Sequence, residues 1–127
     1  MKRKDKIAIF SFSFCVCLKN RKEVTSMAKN TKLEKDFQSK LIKELKKRFV
    51  GCMVMKLDSS YIQGIPDLLV LYGNKWASLE CKRNAVASKR PNQEHYVKLM
   101  DKMSFSRFIC PENKEEVLNE LQQTFKS

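Results

Sequence analysis

Ile65-Pro-Asp-Leu-Leu-Val-Leu-Tyr72, Gly73-Asn74 and Lys75-Trp-Ala-Ser-Leu-Glu-Cys-Lys82 spell two strand-forming runs around a two-residue turn. Gly-Asn between apolar runs is hairpin chemistry, because glycine tolerates the positive φ that such a turn requires. Antiparallel pairing across the turn sets position 67 opposite roughly position 80, which brings Asp67 and Glu80 to one end of a sheet. Side chains alternate along a strand, so Glu80 and Lys82 project from one face and Cys81 from the other. Two acids and a lysine then share a small volume.

The rest of the chain supplies layers for this hairpin. Leu33, Phe37, Leu41, Ile42, Leu45 and Phe49 recur at spacings of three and four, predicting an amphipathic helix from Thr31 to Phe49. Thr31 and Glu34 fit a T-x-x-E capping box at its start. Val50 to Leu57 reads as a short strand, and Asp58 to Gly64 as a loop. Pro91 opens a second helix with Tyr96, Val97, Leu99, Met100 and Met103 as its apolar positions. Phe105 to Cys110 reads as a further strand, and Pro111-Glu-Asn opens a last helix with Val117, Leu118, Leu121 and Phe125 inward. The expected order is αβββαβα, an α/β domain.

The 127 residues suffice for one core and one site. Lys and Arg number 26 against 14 Asp and Glu, a net charge of +12 that favours a polyanionic partner, nucleic acid first. Five cysteines without C-x-x-C spacing and a single histidine, His95, fit neither a disulfide framework nor a zinc site. One histidine gives no support to a Ser-His-Asp triad, and no G-x-S-x-G, H-E-x-x-H or P-loop is present. Any hydrolytic chemistry in this chain must therefore rest on carboxylates, lysine and a metal, with no small-molecule cofactor expected.

Residues 1–26 differ in character: a basic start, the apolar run Ile7 to Leu18, then Lys19-Asn-Arg-Lys-Glu23. The run is 12 residues long, whereas a membrane-spanning helix needs ~20. Four charges separate it from Val24-Thr-Ser26, where an export signal carries few. The segment reads as poorly ordered or as an upstream extension, with residues 27–127 forming one domain and Met27 a plausible start. No membrane role is expected, and the expected location is the cytoplasm, or the host cytoplasm for a phage-encoded chain. Residues 1–27 carry seven Lys/Arg and two Asp/Glu, so seven of the twelve net positive charges remain on the rest.

Cleaving a phosphodiester requires a hard cation on oxygen ligands, an activated water and positive charge where the pentacoordinate phosphate becomes negative. Asp67 and Glu80, with the backbone carbonyl of Cys81, can hold Mg²⁺, and Lys82 can orient or deprotonate the water. The bland alternative makes Asp67 a turn residue and Glu80 and Lys82 a solvated same-face pair.

Gly64-Ile-Pro-Asp67-Leu-Leu, then Leu79-Glu-Cys-Lys82, then Pro91-Asn-Gln93 together resemble the PD-(D/E)XK nuclease superfamily, and within it the VRR-Nuc and Holliday-junction-resolvase-like branch that includes stand-alone phage nucleases. The resemblance covers roughly residues 31 to 110. It implies a restriction-endonuclease-like three-layer core with a mixed central sheet flanked by helices, and Mg²⁺-dependent DNA cleavage, with Mn²⁺ able to substitute. Branched or flapped DNA is the implied substrate class. It also implies a further acidic metal ligand on the first helix, where Glu34 fits as well as it fits the capping box. Gln93 matches a glutamine placed beside the catalytic lysine.

Arg83, Lys89 and Arg90 flank the hairpin and second helix as candidates for phosphate contacts. Tyr61 is a candidate for stacking on a base, and Lys56 for facing the site. The resemblance further implies a homodimer, for which Trp76, Phe105 and Phe108 are interface candidates if they are not core. A catalytically inactive nucleic-acid-binding module on the same fold is the competing function.

Overall fold

A computed structural model describes residues 26–127; the apolar run of residues 7–18 and most of the distinctive N-terminal segment lie outside the described residues. The chain divides into two units, Met1–Leu33 and Glu34–Ser127. In the first, the described residues are helical, and the Thr31 hydroxyl donates to the Met27 carbonyl at 2.8 Å. That bond corrects the expected helix start. The helix, α1, runs over residues 26–48, so Thr31 is interior and bonds back one turn rather than capping. Glu34 is thereby released from the capping box.

The second unit continues with β1 (Met53–Lys56), β2 (Leu68–Tyr72), β3 (Lys75–Cys81), α2 (Pro91–Met103), β4 (Ser106–Ile109) and α3 (Lys114–Lys126). The four strands lie in the order β1-β2-β3-β4. The first three pair antiparallel and β4 pairs parallel to β3, giving a mixed sheet in an α/β unit. The parallel pair is reached by a crossover through α2, as such pairs require. The hairpin turn falls on Gly73-Asn74, with Tyr72 opposite Lys75 and Gly73 at φ 62°.

Period-2 alternation gives the sheet two unlike faces. Leu68, Val70, Ala77, Leu79 and Cys81 point into the core. There they meet Leu41, Leu45 and Phe49 of the α1 end and Val117, Leu118, Leu121 and Phe125 of α3, all buried. Phe49, Tyr72 and Phe125 close it with ring centroids 5.2 to 5.9 Å apart. Arg48 ties the two helices together, donating to Asn119 Oδ1 at 2.6 Å and Gln122 Oε1 at 3.3 Å. The opposite face carries Leu69, Leu71, Trp76, Ser78 and Glu80, and α2 lies against it over β3 and β4. Ser78 and Ser106 share a buried hydroxyl pair there at 2.7 Å.

Several expectations shift at their edges. The strand expected from Ile65 begins at Leu68, because Pro66 has no N–H to give to a ladder. The strand expected from Val50 starts at Met53, after Gly51 turns the chain at φ 89°. On α2 only Val97 is fully buried, while Leu99 and Met103 are exposed at 39% and 65%. The cause is coverage: α2 spans only half of its sheet face, so its outer apolar positions, and Met53 and Met55 of β1, face solvent. Among the interface candidates, Phe105 is core, whereas Trp76 and Phe108 are partly exposed. Among the described residues, no helix is long and apolar enough to cross a membrane.

Candidate active site

The β2–β3 register ends at Leu68 opposite Leu79, which makes Asp67 and Glu80 the next facing pair. Asp67 does not continue the ladder with backbone alone: its Oδ2 accepts the Cys81 N–H at 2.9 Å, and its carbonyl accepts the Leu57 N–H at 2.8 Å. The carboxyl is thus locked at the end of the sheet, on the face that carries Glu80. Cys81 turns its side chain into the core, 2% exposed, where burial pushes its thiol far above the usual range.

Glu80 and Lys82 are both buried, at 3% and 7% exposure, which disposes of the solvated-pair alternative. Their charged atoms stand 3.9 Å apart, and Gln93 joins them. Gln93 Nε2 donates to Glu80 Oε1 at 2.6 Å, while its Oε1 accepts from Lys82 Nζ at 2.8 Å and from the Arg90 N–H at 3.1 Å. The last bond explains the placement. Gln93 is the third residue of α2, so its side chain folds back to satisfy the N–H of the residue preceding Pro91. That turn of the side chain hangs it over the acid and the lysine.

Glu80 Oε2 is buried without any hydrogen-bond partner. Desolvation, and then the neighbouring Asp67, push the Glu80 carboxyl up to about 8 against the pull of Lys82. Asp67 is also raised, chiefly by burial, with the Cys81 N–H opposing and Glu34 adding to the rise. The site thus holds more acid than its one buried lysine neutralises.

A stability profile follows from the Glu80 shift. The folded state retains a proton that the unfolded chain releases above its ordinary 4.5, so stability falls as pH rises from about 4.5 through about 8. In EDTA the melting temperature is expected to decline across that window, and Glu80→Gln to flatten the decline. Parallel profiles for the two proteins would contradict the assignment.

Glu34 reaches the site from α1 and pairs with Arg83 at 3.9 Å, both side chains about a third exposed. An ion pair that long and that wet is weak, leaving the Glu34 carboxylate available. A cleft of about 310 Å³ opens above Asp67 and Glu80, walled by Ser60, Gly64, Arg90 and Asn92. Gly64 sits at φ +92°, and a Cβ there would lie 2.5 Å from Asn92 Cβ, so the loop lies directly on the start of α2.

Other candidates separate clearly. Arg83 and Arg90 border the site, and Lys89, beside Arg90, is exposed with its ammonium 4.6 Å from the Phe108 ring centre. Tyr61 is 86% exposed in the loop that carries Ser60. Lys56 pairs with Leu68, a core-face position, so it points to the opposite side of the sheet from Glu80 and leaves the site. Sequence reasoning missed the Gly64–Asn92 contact and the cleft wall at Ser60. The only available signal was that Asn92 adjoins Gln93 and that Gly64 stands two residues before Pro66.

Among the described residues, no group of three His, Cys, Asp or Glu side chains is gathered closely enough to hold a metal ion by itself. Compared with protein-family models, curated proteins and solved structures, the chain finds no match in any of the three.

Proposed function

We propose that this chain is a Mg²⁺-dependent DNA endonuclease with a restriction-endonuclease-like core, acting on branched or flapped DNA. The observation that carries the reading is the Glu80 carboxyl. It is buried beside Asp67, joined to Lys82 through Gln93, and has one oxygen without a partner. A buried acid in that state is costly unless a cation completes it.

The donors fit Mg²⁺. All are hard oxygens: Glu80 Oε2, the Asp67 oxygen not bonded to Cys81, the Cys81 carbonyl, and Glu34 from the helix. Two close carboxylates rather than three are sufficient, because Mg²⁺ ordinarily keeps several waters and takes substrate phosphate oxygens as further ligands. The bound ion would polarise the phosphate and acidify a water, and Mn²⁺ would substitute. Lys82, held by Gln93, orients that water and offsets the charge growing on phosphate. Arg83, Lys89 and Arg90 would contact the DNA backbone, giving salt-sensitive binding without reading sequence. A homodimer belongs to the same proposal, and sedimentation velocity tests it. An inactive binding module has no physical need for two buried acids on a surface that meets phosphate.

The proposal is tested by incubating purified protein with linear duplex, single-stranded, flap and four-way-junction DNA in Mg²⁺, Mn²⁺ or EDTA. Cleavage in either metal, fastest on flap or junction and absent in EDTA, is expected. Glu34→Gln removes one carboxylate without disturbing a cap, and is expected to slow cleavage at limiting Mg²⁺ by about tenfold, in line with loss of a supporting ligand. Near-normal activity in that variant would remove Glu34 from the site.

A further inference from the structure

We propose that Phe108 is a stacking platform for an unpaired base of the DNA strand whose phosphate lies at the Asp67–Glu80 site, an inference that rests on the nuclease reading above. Phe108 and Glu80 are register partners on adjacent parallel strands, so their side chains stand side by side on the face under α2. A side chain so placed is normally covered. Phe108 instead remains partly exposed in a second cleft of about 310 Å³, on the other side of α2 from the Asp67–Glu80 cleft.

The second cleft sets a flat apolar ring beside two lysines in a lining of mixed charge. Lys89, Lys98 and Arg107 line it beside Phe108, against the carboxylates of Glu94 and Asp101. Asp101 is already paired with Arg107, which also holds Glu120 at 3.2 Å. The two lysines are therefore the mobile charges of the cleft. Lys89 places its ammonium 4.6 Å from the Phe108 ring centre, over the face that a base would occupy. Lys89 and Arg90 are consecutive, and each lines one of the two clefts, so a strand crossing the start of α2 passes from one to the other. An incoming base takes the ring face, and Lys89 moves to the adjoining phosphate. Only a base free of its duplex partner can do this, which selects flap or single-stranded DNA next to the cut.

The test reads binding without cleavage: fluorescence anisotropy of a labelled 12-mer, single-stranded or duplex, in EDTA. Phe108→Leu is expected to weaken single-strand binding about tenfold, the scale of one lost base–aromatic stack, and duplex binding less than twofold. Phe108→Trp retains the affinity. A single abasic position moved along the strand produces a similar loss with the wild-type chain at one position and none with Phe108→Leu. Phe108→Met supplies a second non-aromatic side chain if thermal melts show that Leu disturbs packing. Equal single-strand affinity of the wild-type and non-aromatic variants, or an equal abasic loss in both, overturns the platform. If duplex is still cleaved in Mg²⁺, only the platform fails; if the wild-type chain neither binds nor cleaves any of these DNAs, the nuclease reading fails with it.

Discussion

Glu80→Gln is expected to abolish Mg²⁺-dependent cleavage, by about a thousandfold or more, while leaving the fold as stable as the wild type or more so at pH 9. The two effects have one origin. The carboxyl sits 3% exposed, with one oxygen unpaired and its proton affinity raised by burial and by Asp67. Above pH 8 the folded chain must hold a buried charge that Asp67 repels and that leaves one oxygen unbonded; a neutral group of the same shape relieves that cost, and Asp67 stays behind to balance Lys82. Gln keeps an oxygen for the Gln93 amide but loses the negative charge a cation needs. Opposite movement of activity and melting temperature distinguishes a functional acid from a structural one. If Glu80→Gln instead unfolded the chain at pH 9, the carboxyl would be structural.

Gly64→Ala is the second large effect and acts through shape alone. The glycine lies at φ +92°, and an added Cβ would meet Asn92 Cβ at 2.5 Å and the Asn92 carbonyl carbon at 2.8 Å. The second contact is with backbone and the first with a Cβ that the backbone places, so no rotamer change relieves either. The left-handed conformation adds roughly 1 kcal/mol and the overlap a further 1–3 kcal/mol. The loop and the start of α2 must then move apart, which displaces Asn92 and Gln93, whose amide joins Glu80 to Lys82. Thermal melts are expected to show a loss of several degrees and cleavage to fall at least about tenfold. Gly73→Ala is the control, because its φ is also positive but nothing lies within 4 Å of the added atom. It is expected to lower stability by about 1 kcal/mol without touching activity. Removing the Asn92 side chain as well restores Gly64→Ala only in part, since the backbone contact survives. Equal effects of the two alanine variants on cleavage would show that loop placement does not control the site.

The hairpin and the convergence of Asp67 with Glu80 were legible in the sequence because both follow from local rules: turn chemistry at Gly73-Asn74 and strand alternation across it. The inward faces of α3 and of the α1 end followed likewise from periodicity, since Val117, Leu118, Leu121 and Phe125 and, on the other side, Leu41, Leu45 and Phe49 are all buried, although Leu33 of the same α1 stripe is exposed at 48%. Periodicity misled at α2, where Leu99 and Met103 match the helical pattern yet face solvent because the helix covers only part of its sheet. It misled again at Thr31, where a capping motif lies inside a helix that runs past it.

Position 56 needed register, not composition, to settle. Its partner Leu68 puts Lys56 on the face away from Glu80. Gln93 was visible only as a motif member. That it joins Glu80 to Lys82 depends on a side chain folding back over a helix start, which spacing cannot reveal. The least legible feature was Phe108, an aromatic residue that reads as core or interface until its neighbours Glu80 and Lys89 are placed.

The central claim, that Asp67, Glu80 and Lys82 form one metal-dependent cleavage site, is tested most directly by single-turnover cleavage of the preferred DNA in Mg²⁺ and in EDTA, with the wild-type chain beside Asp67→Ala and Lys82→Ala. Cleavage by the wild-type chain in Mg²⁺ alone is predicted, with both variants folded, still able to bind DNA, and slower by about a hundredfold or more. Cleavage that persists in EDTA, or in both variants at the wild-type rate, would contradict it.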